Sequence, residues 1–239
     1  MDHRKLILLV SAAMALLVPI MIYGHSFNSV AFSKEFYKKE FLEYDVYGNL
    51  PDYDVDNLNH EVLGYLQTGK NSNLIENGFF NDREKAHLLD VKSLVHKGLS
   101  IYRASIILFL ILSASLVFFL GLDPKTIMHK FLLVLLFGSI LSLAPAFLIF
   151  AVSEINFGFA FGLLHETFFP VGTYTFNPEF EKIVVLYPEN LFSDAFAEII
   201  SGIIFPSAII FLASLAVLFC FFRKKFLEIF SAKSRRKTR

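Results

Sequence analysis

Four apolar stretches, each long enough to cross a membrane as a helix, dominate the pattern of hydrophobic and polar positions in this 239-residue chain. They occupy about residues 6–23, 105–122, 131–152 and 199–222. A helix needs roughly 18 or more apolar residues to span the hydrocarbon core. The chain is 55% hydrophobic, and soluble domains are about 45–50% apolar. The pattern therefore predicts an all-α membrane protein with four transmembrane helices.

The two long segments between the spans, residues 24–104 and 153–198, also show helical patterning. Apolar residues at helical spacing (Leu58, Val62, Leu63 and Leu66) predict one helix in the first segment. A second helix is predicted to begin near Asp82, with Asp82 as its cap, and to run without a break into the second span. These segments are expected to form a helical cap.

Charge is distributed unevenly although the formal net charge is +0. Basic residues are concentrated at the chain start, in the link after the second span and in the tail 223–239. Because positive residues mark the cytoplasmic side of a membrane protein, we expect both termini to be cytoplasmic and the two long segments to be extracytoplasmic. A basic tail beside a span is typical of a segment that lies at the cell membrane surface and sets the orientation of the protein. We therefore expect no nucleic-acid partner.

The spans contain no acid, base or histidine at mid-depth, which argues against an ion-coupled transporter. No GxSxG motif is present, and the single cysteine, Cys220, lies at the predicted cytoplasmic end of the fourth span. The residues best suited to proton transfer near neutral pH are then His87 and His165, both in the predicted outer segments. The chain is read as one integral membrane domain, residues 1–239.

His87 lies between two carboxylates that can share its side of a helix, Glu84 and Asp90. A carboxylate that accepts one imidazole N–H makes the other ring nitrogen a better base. Spacing alone favours a plain charged surface helix, because such pairs are common and weak. His165 stands next to Glu166 and among apolar residues, where a lone histidine is usually a structural group. Its predicted position at the level of the membrane surface favours a functional role instead.

The segment around His165 is predicted to form a helix in the membrane interface, with phenylalanines such as Phe161 and Phe168 in lipid. Gly158 and Gly162 share the face of His165. They either leave a groove leading to the histidine or let a neighbouring helix approach closely. The sequence leaves both interpretations open.

Metal chemistry has only weak support. His60-Glu61 and His165-Glu166 each begin a zinc-protease motif, but neither has the second histidine that the motif requires. A metal site could still be formed by His87, His165 and carboxylates that are distant in the sequence. A metal-dependent membrane lipid hydrolase is therefore one alternative. Another is a non-catalytic membrane protein whose outer segments bind a lipid or a protein partner.

Two strings, EKAHLLDVK and HETFF…YTFNPEFEKIVVLYPENLFSDAF, resemble the Lit-type integral membrane family of lipoprotein intramolecular transacylases. The matching positions fall into three blocks: Glu84, His87, Asp90 and Val91; His165, Phe168, Phe169, Tyr174, Phe176, Asn177 and Pro178; Leu186, Tyr187, Pro188, Phe192 and Asp194. Tyr174 stands where the family pattern has tryptophan.

The resemblance implies a membrane acyltransferase that moves the sn-2 acyl chain of a diacylglyceryl lipoprotein to its N-terminal cysteine amine, giving a lyso-form lipoprotein. It implies no cofactor and no metal, and its partners are the lipoprotein and membrane lipid. His87 is expected to be the general base, oriented by Asp90 or Glu84, and His165 to polarise the carbonyl or shuttle the proton; the reverse assignment stays open. The remaining expected site residues are Tyr174 and Glu166 in support, and Phe161, Phe168, Gly158, Gly162 and Lys92 along the substrate.

Overall fold

The computed structural model describes residues 2–68, 78–121, 123–170 and 172–237, with no side chains described at residue 68 or beyond residue 221. These ranges contain helices and connecting turns and no strand. The helices are α1 (His3–Ala31), α2 (Lys34–Glu43), α3 (Val46–Asn49), α4 (Val55–Thr68), α5 (Asp82–Leu120), α6 (Pro124–Ile155), α7 (Phe157–Phe168), α8 (Ile183–Leu186) and α9 (Glu189–Lys237). The prediction of an all-α fold is confirmed.

Each predicted span lies in a separate long helix, in the order α1, α5, α6 and α9. All four helices are long and apolar enough to cross a membrane. Pro19, Pro145 and Pro206 lie inside these helices without ending them, as membrane helices tolerate when neighbours satisfy the freed backbone groups. Helix α5 also confirms that the second outer helix continues into the second span, whose last residue, Leu122, lies outside the described residues.

Contacts divide the chain into two compact units. The span unit comprises Met1–Ile22, Ala104–Ala146 and Ile203–Arg239. Its core contains Met14 and Val18 of α1, Leu116 of α5 and Val134 of α6. A Cβ atom added to Gly138 would lie 2.5 Å from the Cβ of Val18. Glycine is therefore required at position 138 for α1 and α6 to pack this closely.

The site unit comprises Tyr23–Arg103 and Phe147–Gly202. Its core is rich in aromatic rings, among them Phe36, Phe41, Tyr65, Phe79 and Tyr187. Large aromatic side chains bury much apolar area and so stabilise a small helical unit that has short helices and many turns. The unit brings the middle of the sequence together with residues near α7, α8 and the start of α9.

The side of the membrane on which each segment lies stays a prediction. Helix α9 continues through the basic tail as far as Lys237, and the side chains of residues 223–239 lie outside the described residues. The cytoplasmic position of both termini and the extracytoplasmic position of segments 24–104 and 153–198 follow from charge distribution alone.

Candidate active site

The site unit brings His87 and His165 together, although they are far apart in the sequence. His87 lies in the second turn of α5, and His165 lies in the last turn of α7. Their ring centroids are 6.1 Å apart and the ring planes are inclined by only 21°. Two imidazoles at this separation can act on the same bound group.

Aromatic side chains surround both histidines. The ring of Phe169 lies 5.0 Å from that of His87 and 5.4 Å from that of His165. Phe176 lies 5.3 Å from the ring of His87. On the other side, Phe161 and Tyr174 lie 4.2 Å and 5.3 Å from the ring of His165. The result is an apolar, water-poor setting in which electrostatic interactions are strong.

His87 is almost fully enclosed, with 8% of its surface exposed. Its Nδ1 is buried without a hydrogen-bond partner among the described residues. The pKa of His87 is lowered to about 4, mainly by burial and also by the charge of His165, while the carboxylate of Asp90 acts in the opposite direction. His87 therefore stays neutral near neutral pH and keeps one ring N–H to donate.

The low pKa of His87 predicts that the protein loses stability as the pH falls from about 6.5 to about 4. In this range the unfolded chain binds a proton at His87 more readily than the folded protein does. The stabilisation is fully present above pH 6.5. We expect the unfolding temperature to fall more between pH 7 and pH 5 in the wild type than in His87→Gln. Equal falls in the two proteins would contradict the expected burial.

His165 has one ring nitrogen committed to a backbone group. Its Nδ1 lies 2.7 Å from the carbonyl oxygen of Phe161, one turn earlier in α7. A carbonyl oxygen only accepts hydrogen bonds, so Nδ1 carries the proton and donates it. In the neutral ring Nε2 is then the nitrogen with the free lone pair. This is the tautomer that a general base requires.

The two carboxylate oxygens of Glu84 accept hydrogen bonds from backbone N–H groups. One carboxylate oxygen accepts the backbone N–H of Asn81 at 2.6 Å, while the side chain of Asn81 accepts the backbone N–H of Glu84 at 3.0 Å. The other oxygen accepts the buried backbone N–H of Ile183 at 2.7 Å. This is a reciprocal capping box with a tertiary bond added. The expectation that Asp82 caps α5 is wrong, since Asn81 is the cap. The orientation of His87 by Asp90 or Glu84 stays a prediction.

Three other predicted residues, Asp90, Glu166 and Lys92, differ in their surroundings. Asp90 is partly exposed, and its influence on His87 is through charge, with no hydrogen bond between the two among the described residues. Glu166 is exposed next to His165. The ammonium of Lys92 is buried over the ring of Tyr65, 3.8 Å from its centroid. Lys92 thus packs against α4.

The face of α7 around His165 is partly open. No described atom lies within 4 Å of a Cβ atom added to Gly162, whereas one added to Gly158 would lie 3.1 Å from the carboxylate of Glu189. Gly162 therefore does not serve a close helix contact with the described residues. Phe161 packs on His165, and Phe168, two turns further along α7, is 55% exposed.

Residues of the third block of the resemblance make contacts that tie the site unit together. The buried hydroxyl of Tyr187 donates to the side chain of Asn59 at 2.9 Å. Asp194 accepts a hydrogen bond from the hydroxyl of Tyr44. Phe192 packs against Phe161, with ring centroids 5.3 Å apart. These contacts join the start of α9 and the turn before it to α2, α4 and α7, and so support the helix that presents His165.

The sequence identified Phe169 and Phe176 as positions that match the family pattern. It did not predict that both would contact His87. Asn81 was missed altogether, although the spacing Asn81-x-x-Glu84 is a recognisable capping signal. Among the described residues, no three His, Cys, Asp or Glu side chains are grouped as metal ligands would be.

Comparisons with known proteins give one consistent family. The family model described as lipoprotein intramolecular transacylase Lit matches residues 12–192. Comparison with curated protein sequences gives no match.

Solved structures of the membrane-integral lipoprotein intramolecular transacylase Lit from Bacillus cereus are similar to this chain. One has a TM-score of 0.75 at 20% identity and covers 93% of this chain and 99% of its own. Variants of that protein with a histidine replaced by arginine or by alanine have TM-scores of 0.71 at 20% and 21% identity. They cover 94% and 93% of this chain, and 95% and 96% of their own. The likeness shows a shared fold over nearly the whole length.

Proposed function

Since this chain belongs to the lipoprotein intramolecular transacylase Lit family, and is therefore a membrane-integral intramolecular acyltransferase, we propose that it moves the sn-2 acyl chain of a diacylglyceryl lipoprotein to the α-amine of that lipoprotein's N-terminal cysteine. The product is a lyso-form lipoprotein with an N-acylated cysteine. The observation that best supports this reaction is the pairing of His87 and His165 in an aromatic setting, with different chemistry available at each ring.

We assign the base to His165. Its Nδ1–H is held by the carbonyl of Phe161, so its Nε2 lone pair is free to take a proton from the attacking amine. His87 is held neutral by burial and has an N–H to donate to the ester carbonyl oxygen, where negative charge develops. This is the reverse of the assignment first expected from the sequence.

The step balances without a cofactor. The amine nitrogen attacks the sn-2 carbonyl carbon, and its proton passes to Nε2 of His165. The bond from that carbon to the glyceryl oxygen then breaks, and the proton on His165 passes to the departing oxygen. An ester and an amine become an amide and an alcohol. Because both reacting groups belong to one substrate molecule, holding them in contact supplies much of the rate acceleration.

The α-amine is suited to a histidine base, because an α-amino group has a pKa of about 7.7–8.0 and an imidazole one near 6.5. Tyr174, whose ring lies 5.3 Å from that of His165, is a candidate second donor to the oxyanion. We propose that acyl chains lie along Phe161 and the open face at Gly162, with Phe168 and other exposed residues of α7 in lipid. Lys92 is left out of this surface because it packs on Tyr65.

The site is proposed to face the extracytoplasmic side. Both histidines lie in the segments between the first and second and between the third and fourth apolar stretches. The excess of Lys and Arg in the link between the second and third stretches and at the chain ends favours a cytoplasmic location for those parts. A lipoprotein anchored in the outer leaflet would then present its ester and its amine at the boundary where the histidines lie.

The decisive experiment uses purified protein and a synthetic diacylglyceryl lipopeptide with an isotope-labelled sn-2 acyl chain. We expect mass spectrometry to find the label on the cysteine nitrogen, with the total mass of the lipopeptide unchanged. A matched lipopeptide with an acetylated α-amine should give no transfer, because its nitrogen is not nucleophilic.

A mixture of labelled and unlabelled lipopeptides checks that the transfer is intramolecular, since no label should appear on the unlabelled molecules. Release of labelled free fatty acid instead of amide would overturn the proposal in favour of a hydrolase. No conversion of either kind would favour a protein that binds lipid or lipoprotein without catalysis.

A further inference from the structure

Segment 172–181, which follows α7, brings two aromatic side chains to the histidine pair. Tyr174 contacts the ring of His165 and Phe176 contacts the ring of His87, each with centroids 5.3 Å apart. The segment contains turns and no helix or strand. Irregular segments of this kind open at low free energy unless other groups hold them. The groups that hold this segment in place therefore also determine whether Tyr174 and Phe176 stay in contact with the two imidazoles.

Arg83, one turn before His87 on α5, makes most of the polar contacts with this segment. Its Nη1 donates to a carboxylate oxygen of Glu181 at 2.6 Å. Its Nη2 donates to the carbonyl oxygens of Thr175 at 2.9 Å and Gly172 at 3.3 Å. The guanidinium carbon also lies 5.4 Å from the ring centroid of Phe176. The planar fork of an arginine suits such a set of acceptors, and an ammonium group does not reproduce it.

Glu181 extends the same network within the segment. Its side chain is nearly buried, while that of Arg83 is half exposed. The carboxylate oxygen that does not face Arg83 accepts the backbone N–H of Asn177 at 2.7 Å. The carbonyl of Asn177 in turn accepts the N–H of Glu181 at 2.8 Å. Arg83 and Glu181 thus fasten both ends of the turn that contains Phe176.

We propose that Arg83 is a positioning residue of the transfer reaction, which clamps segment 172–181 against the site so that Tyr174 and Phe176 keep the two imidazoles aligned and away from water. The inference rests on the proposed function for its kinetic consequences. Arg83 acts through the aromatic residues, which contact the histidines. Its effect belongs mainly to the chemical step, because the clamp fixes the catalytic groups and not the acyl chains.

The test compares Arg83→Ala and Arg83→Lys with Lys182→Ala. Lys182 is a matched control because it also holds this part of the chain, donating to the hydroxyl of Tyr53 at 2.6 Å. In the part of the chain that the structure describes, its ammonium contacts neither Tyr174 nor Phe176. For Arg83→Ala we expect kcat to fall by about 10- to 100-fold, since small misplacements of catalytic groups cost this much. KM should change by less than about 3-fold. Arg83→Lys should recover only part of the loss, and Lys182→Ala should stay within about 2-fold of the wild type.

A second readout does not depend on turnover. In NMR of isotope-labelled protein in bicelles, the titration midpoint of His87 should rise from its depressed value of about 4 towards the ordinary value near 6.5 in Arg83→Ala, because the opened segment admits water. The midpoint should not move in Lys182→Ala.

Wild-type kcat retained within about 2-fold in Arg83→Ala would overturn the clamp. So would a loss of activity accompanied by a lowered unfolding temperature and an unmoved His87 midpoint, since Arg83 would then serve stability alone. If the wild type itself makes no N-acyl product, the proposed function fails. The His87 titration still decides whether Arg83 closes segment 172–181 over the pair.

Discussion

Replacing His165 by alanine is expected to lower the rate of N-acyl lipopeptide formation by about 100- to 10,000-fold, the range that a positioned general base contributes. The imidazole that this change removes is the one whose Nδ1 proton is fixed by the carbonyl of Phe161. The fold should be little affected, since His165 is only partly buried and its hydrogen bond lies within α7. The rate is measured by mass spectrometry of the lipopeptide in the labelled-acyl assay.

His60→Ala is the matched control for this prediction. His60 is an exposed histidine of α4 in the same unit and is expected to be dispensable for the reaction. Activity in His60→Ala should equal that of the wild type within about 2-fold. Full activity in His165→Ala, in a protein that unfolds at the wild-type temperature, would remove His165 from the mechanism.

The division of labour between the two histidines can be tested with glutamine, which keeps an N–H donor but cannot take a proton. If His87 donates a hydrogen bond and His165 is the base, His87→Gln should retain more activity than His165→Gln. The opposite order would restore the assignment first made from the sequence, in which His87 is the base.

The spans were predictable because lipid imposes a strong rule. A segment in hydrocarbon must satisfy its own backbone hydrogen bonds and expose apolar side chains, so it appears in the sequence as a long apolar helix. The continuity of α5 was predictable because no glycine or proline lies between Asp82 and Lys97, and Gly98 alone does not end the helix.

The site was only partly predictable. Spacing on one helix places Glu84 on the same side as His87, but it does not show which group donates hydrogen bonds to the carboxylate of Glu84. The buried N–H of Ile183 needs an acceptor, and leaving it unpaired costs about 1–3 kcal/mol; the N–H of Asn81 also donates to Glu84. Tertiary structure therefore decided the role of Glu84. The contact between His87 and Phe176 depends on an irregular segment, for which local sequence rules give no geometry.

Glu84→Ala is expected to be one of the most destabilising substitutions in the site unit. It removes the acceptor of the capping box, worth about 1 kcal/mol, and leaves the buried N–H of Ile183 without its partner, which costs roughly 1–3 kcal/mol. We expect the unfolding temperature to fall by at least about 4 °C, given roughly 2–4 °C per kcal/mol for a chain of this size. Thermal unfolding in detergent micelles measures it.

Asp82→Ala is the matched control, because Asp82 is an exposed acid in the same first turn of α5 and makes no side-chain hydrogen bond with the described residues. It should cost no more than about 1 kcal/mol through the helix dipole. At a temperature well below unfolding, Glu84→Ala should lose less than about 10-fold in activity, because its carboxylate does not touch His87. Loss of activity with an unchanged unfolding temperature would instead mean that Glu84 orients His87 during the reaction, and the capping interpretation would be wrong.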